Sequence, residues 1–116
     1  MSNTTVLRLQ AQTTALSVVA SAHTAVTVSS VGNNQVNYAA FLNAGANSVA
    51  IEISPTGITA KTATLPIDGT NGSFLLPPLM TQPMVLATPA NEFQVSAIGS
   101  AAGPALVYIT PVGNQT

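Results

Sequence analysis

Charge is what this chain most conspicuously does without. Its 116 residues include two basic and three acidic side chains, Arg8, Lys61, Glu52, Asp68 and Glu92. An ordinary globular domain is about a quarter charged. Two basic residues cannot supply the several phosphate contacts on which nucleic-acid affinity rests. A net charge of -1 also gives an anionic membrane no electrostatic hold. Cysteine and tryptophan are absent, which excludes disulfides, thiolate metal sites and thiol nucleophiles. No apolar run approaches the roughly 20 residues of a membrane-spanning helix. The aromatics are Tyr38, Phe41, Phe74, Phe93 and Tyr108, so the interior must be built mainly from Val, Ile, Leu and Ala. What is left is Thr, Ser, Asn and Gln on short β-branched stretches, a surface with little charge repulsion to oppose association.

The apolar residues that are present follow a two-residue period. Residues 5–9 and 16–20 are short strand candidates. In 25–29, Val26 and Val28 share one face while Ala25, Thr27 and Ser29 take the other. Gly32-Asn33-Asn34 then interrupts the chain. The clearest hairpin signal follows: a strand over 36–42, the turn Asn43-Ala44-Gly45-Ala46-Asn47, and a strand over 48–53 with Val49, Ile51 and Ile53 on one face. Pro55 and Gly57 close that strand. Residues 59–65 read as a further short strand and 66–72 as a turn cluster. Segments 73–76 and 84–88 are hemmed in by Pro77-Pro78, Pro83 and Pro89, which confine them to edges or short strands.

Strands over 93–98 and 105–110 make a closing pair, and 111–116 reads as a loosely held polar tail. The many β-branched residues of the alanine-rich N-terminal third disfavour helix there. About eight short strands at spacings of about ten residues predict one all-β domain over residues 1–116, a β-sandwich of jelly-roll type with antiparallel strands. Its expected core is Val26, Val28, Val49, Ile51, Ile53, Val95, Val107 and Ile109.

Each candidate for chemistry has a plainer explanation. His23 is the only histidine. A catalytic histidine needs a nucleophile and an orienting acid, zinc needs three or four ligands, and the carboxylates here are scattered. His23 therefore reads as a residue leading into a strand. Asp68-Gly69-Thr70-Asn71-Gly72 has one carboxylate and no bidentate Glu downstream, so it is a turn rather than a calcium loop. Neither a lysine nor a helix follows Gly99 to Gly103, which leaves no phosphate cradle. Asn3-Thr4-Thr5 and Asn71-Gly72-Ser73 match glycosylation sequons, a match that chance supplies in so Thr- and Asn-rich a chain. Core packing accounts for most aromatics, with Tyr38 and Tyr108 able to place a hydroxyl at a rim. Arg8 ahead of Leu16 to Ala22 faintly suggests a signal peptide, but the apolar part is short and interrupted by Gln10, Gln12, Thr13 and Thr14. No catalytic, cofactor or metal site is expected, and synthesis in the cytoplasm is.

Three segments together resemble a known group. They are NYAAFLNAGANSVAIEI (37–53), PIDGTNGSFLLPP (66–78) and FQVSAIGSAAGPALVYITPV (93–112), the last with the most distinctive ending. Over residues 36–112 the chain is similar in style and pattern to the small β-sandwich virion proteins of tailed bacteriophages, notably capsid decoration (cement) proteins. The resemblance implies a non-enzymatic structural protein that binds the outer surface of an assembled head and stabilises it. Its implied partners are the major capsid protein and further copies of itself, with a trimer the first expectation, and its implied location is the head surface of the virion. Unlike the larger decoration proteins the chain shows no obvious long N-terminal arm, although residues 1–12 could serve as a short one. Partner contacts are expected from Leu75, Leu76, Pro77 and Pro78 and from Val6 and Leu7. A neck, tail or fibre component and a carbohydrate-binding or adhesin module stay open as alternatives.

Overall fold

A computed structural model describes residues 7–9, 11–29, 38–89, 92–100 and 105–114, with only the backbone described at 7, 8, 113 and 114. The strands in chain order are β1 (Leu7–Leu9), β2 (Thr14–Val18), β3 (Val26–Ser29), β4 (Tyr38–Asn43), β5 (Val49–Pro55), β6 (Phe74–Leu76), β7 (Met84–Ala87), β8 (Glu92–Gly99) and β9 (Ala105–Asn114). No helix occurs among the described residues. The strands build two antiparallel sheets. In sheet A, β9 pairs on one side with β4, which β7 borders. On its other side β9 pairs with β2 and β1, laid end to end. Sheet B has the order β3-β8-β5-β6.

The alternation read from the sequence fixes which side chains turn inward. Sheet A sends Leu16, Val18, Phe41, Val107 and Ile109 into the core, and sheet B sends Val28, Val49, Ile51, Phe93 and Val95 to meet them. Phe41 and Phe93 are the largest buried side chains, one from each sheet. Each such residue contributes about 1.5–3 kcal/mol by leaving water. Ala39, Ala97 and Ala105 join the same cluster as small spacers. Of the expected core, Val26 and Ile53 are only partly buried against it, because both lie toward strand ends.

Strand pairing differs from the expectation. Neither β4 and β5 nor β8 and β9 pair as hairpins, since the two strands of each lie in different sheets, and residues 101–104 of the expected second turn lie outside the described residues. Among sequence neighbours β5 and β6 alone share a ladder. At the first of these crossings the buried Asn43 makes the arch. Its Nδ2 donates to the carbonyls of Asn47 (2.8 Å) and Pro77 (3.1 Å), and its Oδ1 accepts from the Gly45 N–H (3.0 Å). Gly45 is forced by contact, since a Cβ there would come within 2.6 Å of the Ala105 Cα.

Two further expectations are corrected. Residues 111–114 continue β9 rather than forming a loose tail, pairing with β1 and β4. Pro111 sits where the β1–β2 edge is interrupted, between the Leu9–Val112 and Thr14–Ile109 pairs. A residue without an N–H is tolerated at such a gap. Residues 59–65 join no sheet and form no strand.

Candidate interaction surfaces

Each sheet has an outer face, and the two are built differently. On sheet B the outward residues include Glu52 and Ser54 of β5 and Gln94 and Ser96 of β8. Residues 56–73 lie across them as a strap. Pro66, Gly69 and Gly72 keep this segment from building a ladder, so its backbone takes partners from the side chains beneath. Ser54 Oγ accepts the Lys61 N–H at 3.3 Å, and Ser96 Oγ accepts the Ala63 N–H at 3.0 Å. The same Ser96 hydroxyl donates to the His23 carbonyl (2.9 Å), joining the β2–β3 connection to the strap. Gln94 Nε2 donates to the Pro55 and Ile58 carbonyls.

At the far end of the strap the Ser73 Oγ donates to Glu52 Oε1 (2.8 Å) and accepts the Thr64 N–H. The Thr70 N–H closes a turn onto Ile67 O at 2.8 Å, with Gly69 at φ 77° in the third position of a type II turn. Gly72 abuts Pro66 so tightly that a Cβ would lie 2.2 Å from its nitrogen. Ala50, Ser54, Ala63 and Ser96 are buried as a result.

The charges follow this cover. Glu52 and Glu92 belong to β5 and β8 of sheet B, with Glu92 Oε2 accepting from Ser29 Oγ at 2.9 Å, and Lys61 and Asp68 lie in the strap. Arg8 stands opposite Gly113 in β1. His23 lines a hollow of about 400 Å³ between the strap and the β2–β3 connection, its Nδ1–H donating to Thr24 O at 2.7 Å. Among the described residues no three His, Cys, Asp or Glu side chains cluster.

Sheet A turns outward Tyr38, Ala40 and Leu42 of β4, Leu106, Tyr108 and Thr110 of β9, Ala15 and Ser17 of β2, and Val85 of β7. No charged side chain is among them, and no strap crosses them. A depression of about 740 Å³ is sunk into this face, with Leu9, Leu42, Tyr108 and Val112 in its lining and Gln12 and Thr13 at its rim. Thr13 and Thr110 share a hydrogen bond of 2.7 Å beside it.

A third surface follows β6 into the β6–β7 connection. Phe74 is 50% exposed, Leu75 44% and Leu79 67%, and Pro77 and Pro78 are exposed between them. Of the residues expected to meet a partner, Leu75, Pro77 and Pro78 are therefore on the surface. Leu76 is corrected: it is fully buried, because β6 alternates and Leu76 pairs with the inward Val49. Val6 lies outside the described residues, and Leu7 pairs with Asn114 in β1 rather than belonging to a free arm. Sequence reasoning missed Leu79, whose only local signal is its place after two prolines, and the sheet A depression, whose lining comes from β1, β4 and β9. No protein-family model, no curated protein and no solved structure matches this chain.

Proposed function

We propose that this protein is a non-enzymatic structural component of a tailed-phage virion, binding the outer surface of the assembled head and stabilising it, and that its sandwich is a jelly roll. The fold reading is supported by the strand order. The eight strands β2 to β9 run β2-β9-β4-β7 in one sheet and β3-β8-β5-β6 in the other, and eight strands in two packed sheets are the make-up of the jelly rolls of viral capsid and lectin domains. The functional reading is carried by one observation above others. The apolar stretch Phe74, Leu75, Pro77 and Pro78 stands exposed on a chain with almost no charge. Exposed apolar residues gathered along the edge strand of a sheet and the turn after it favour an interaction site, and here the contact would rest on shape, apolar burial and neutral hydrogen bonds.

The test is binding to heads. Labelled protein should sediment with purified heads and appear as density on the shell in hundreds of copies per particle. A dozen copies at one vertex would favour a neck component, and protein found only free in the lysate would end the reading. Leu75→Asp should abolish head binding while Lys61→Ala leaves it intact, and removal of residues 2–6 separates this stretch from the N-terminus as the anchor. A glycan-binding module is the second reading, favoured by the same strand order and by the exposure of Tyr38 and Phe74. Competable hits on a glycan array without head binding would promote it.

A further inference from the structure

We infer that copies of this chain join head to tail, Leu79 of one copy entering the sheet A depression of the next, to form a closed ring. Leu79 has φ 52°, the one positive φ outside glycine among the described residues. A branched residue avoids that region, and such strain persists only where the surroundings impose it. Here they do: the Leu79 N–H donates to Gly45 O at 2.8 Å and the Met80 N–H to Asn43 O at 2.9 Å. Met80 packs against the core, and Leu79 is held outward as a knob. An exposed leucine kept in an unfavourable conformation has no use in the isolated fold.

The occupant follows from charge, shape and area. A depression lined by Leu9, Leu42, Tyr108 and Val112 offers no counter-charge, so an ionised side chain entering it would go uncompensated. Its occupant is neutral and apolar, as Leu79 is. Four strands about 4.8 Å apart, the longest of ten residues at about 3.4 Å each, give a face of at most about 650 Å². That is short of the about 800 Å² per partner of a stable pairwise complex. Two such faces laid on each other would also enclose both depressions as a void. A knob in a depression instead joins two different patches, and such a heterologous contact produces a ring when the rotation closes. Each copy in a ring then makes two contacts. The inference concerns the free protein and stands apart from head binding.

Two variants test it by complementation. Leu79→Asp spoils the knob, and Asp tolerates positive φ better than Leu; Leu9→Asp spoils the depression at a residue that is 73% exposed. Circular dichroism should show both folded. In sedimentation at about 50 μM, wild type should be a discrete oligomer of three or more copies. Each variant alone should be a monomer, its association weakened about 10- to 100-fold by the loss of one buried leucine. Mixed, they should form a one-to-one pair, since each retains the surface the other lacks. Leu79→Asn should lose association while its melting temperature holds or rises. A monomeric or strictly dimeric wild type, unbounded growth, or a mixture that stays monomeric would overturn the proposal.

Discussion

The outer face of sheet B and the outer face of sheet A belong to one small sandwich, yet the chain finishes them in opposite ways. On sheet B, Glu52, Ser54, Gln94 and Ser96 hold the strap 56–73 through its backbone and through Ser73. On sheet A, Ala40, Leu42 and Tyr108 stand uncovered around a depression. Two charged side chains of sheet B and two of its strap account for every charged residue whose side chain is described. The difference teaches what the polar side chains of sheet B are for. Serine hydroxyls and the Gln94 amide satisfy the strap's backbone where no ladder can form, and the described charged side chains stay off the face left bare. Damage to the strapped side should therefore appear as lost stability, and damage to the bare side as lost association.

The largest effect should come from Ser96→Ala. Its hydroxyl is buried and serves two segments, accepting from Ala63 and donating to His23. Without it an N–H and a carbonyl are stranded, at about 1–3 kcal/mol each. Urea unfolding should show a loss of about 2–4 kcal/mol. A loss below about 0.5 kcal/mol would mean that the strap is not part of the cooperative fold. Gly72→Ala comes next. The added carbon meets the Pro66 backbone, not a flexible side-chain end, so the strap must shift at a cost of about 1–3 kcal/mol.

How much of this was legible in the sequence divides along the same line. Period-two alternation is a local property, and it placed Val28, Val49, Ile51, Val95, Val107 and Ile109 in the core. Pairing is not local. Asn43-Ala44-Gly45-Ala46-Asn47 reads as a hairpin turn because hairpin turns use those residue types. The arch is betrayed only by the burial of the Asn43 side chain and the pressure of Gly45 on Ala105, which lies sixty positions away. The strap misled for a related reason. Residues 61 and 63 alternate as in a strand, but their N–H groups meet serine hydroxyls instead of carbonyls. Of the expected contact residues, Leu75 and Leu76 differ by one position and by the whole thickness of the sheet, since neighbours in a strand face opposite sides.

On the bare face, Ala40→Lys sharpens the comparison from the other direction. Ala40 lines the depression and makes none of the strap's contacts. Its long replacement can keep its ammonium in water while the stem lies along the sheet. Unfolding free energy should stay within about 0.5 kcal/mol of wild type, while self-association falls sharply. Equal losses in both would show that the bare face is simply another stabilising surface.

The smallest expected effect is that of salt, and its sign is informative. Between about 50 and about 500 mM sodium chloride the screening length shrinks from about 14 Å to about 4 Å. An interface held by ion pairs weakens severalfold over that range. The knob at Leu79 and the depression around Leu42 and Tyr108 contain no formal charge to screen. The dissociation constant for self-association, measured by sedimentation, should move by less than about twofold. Ammonium sulfate should strengthen association instead, because excluded anions favour apolar burial. If chloride and sulfate both weakened it severalfold, Glu92, Lys61 or Arg8 would have to sit in the contact. The bare face would then not be the associating one.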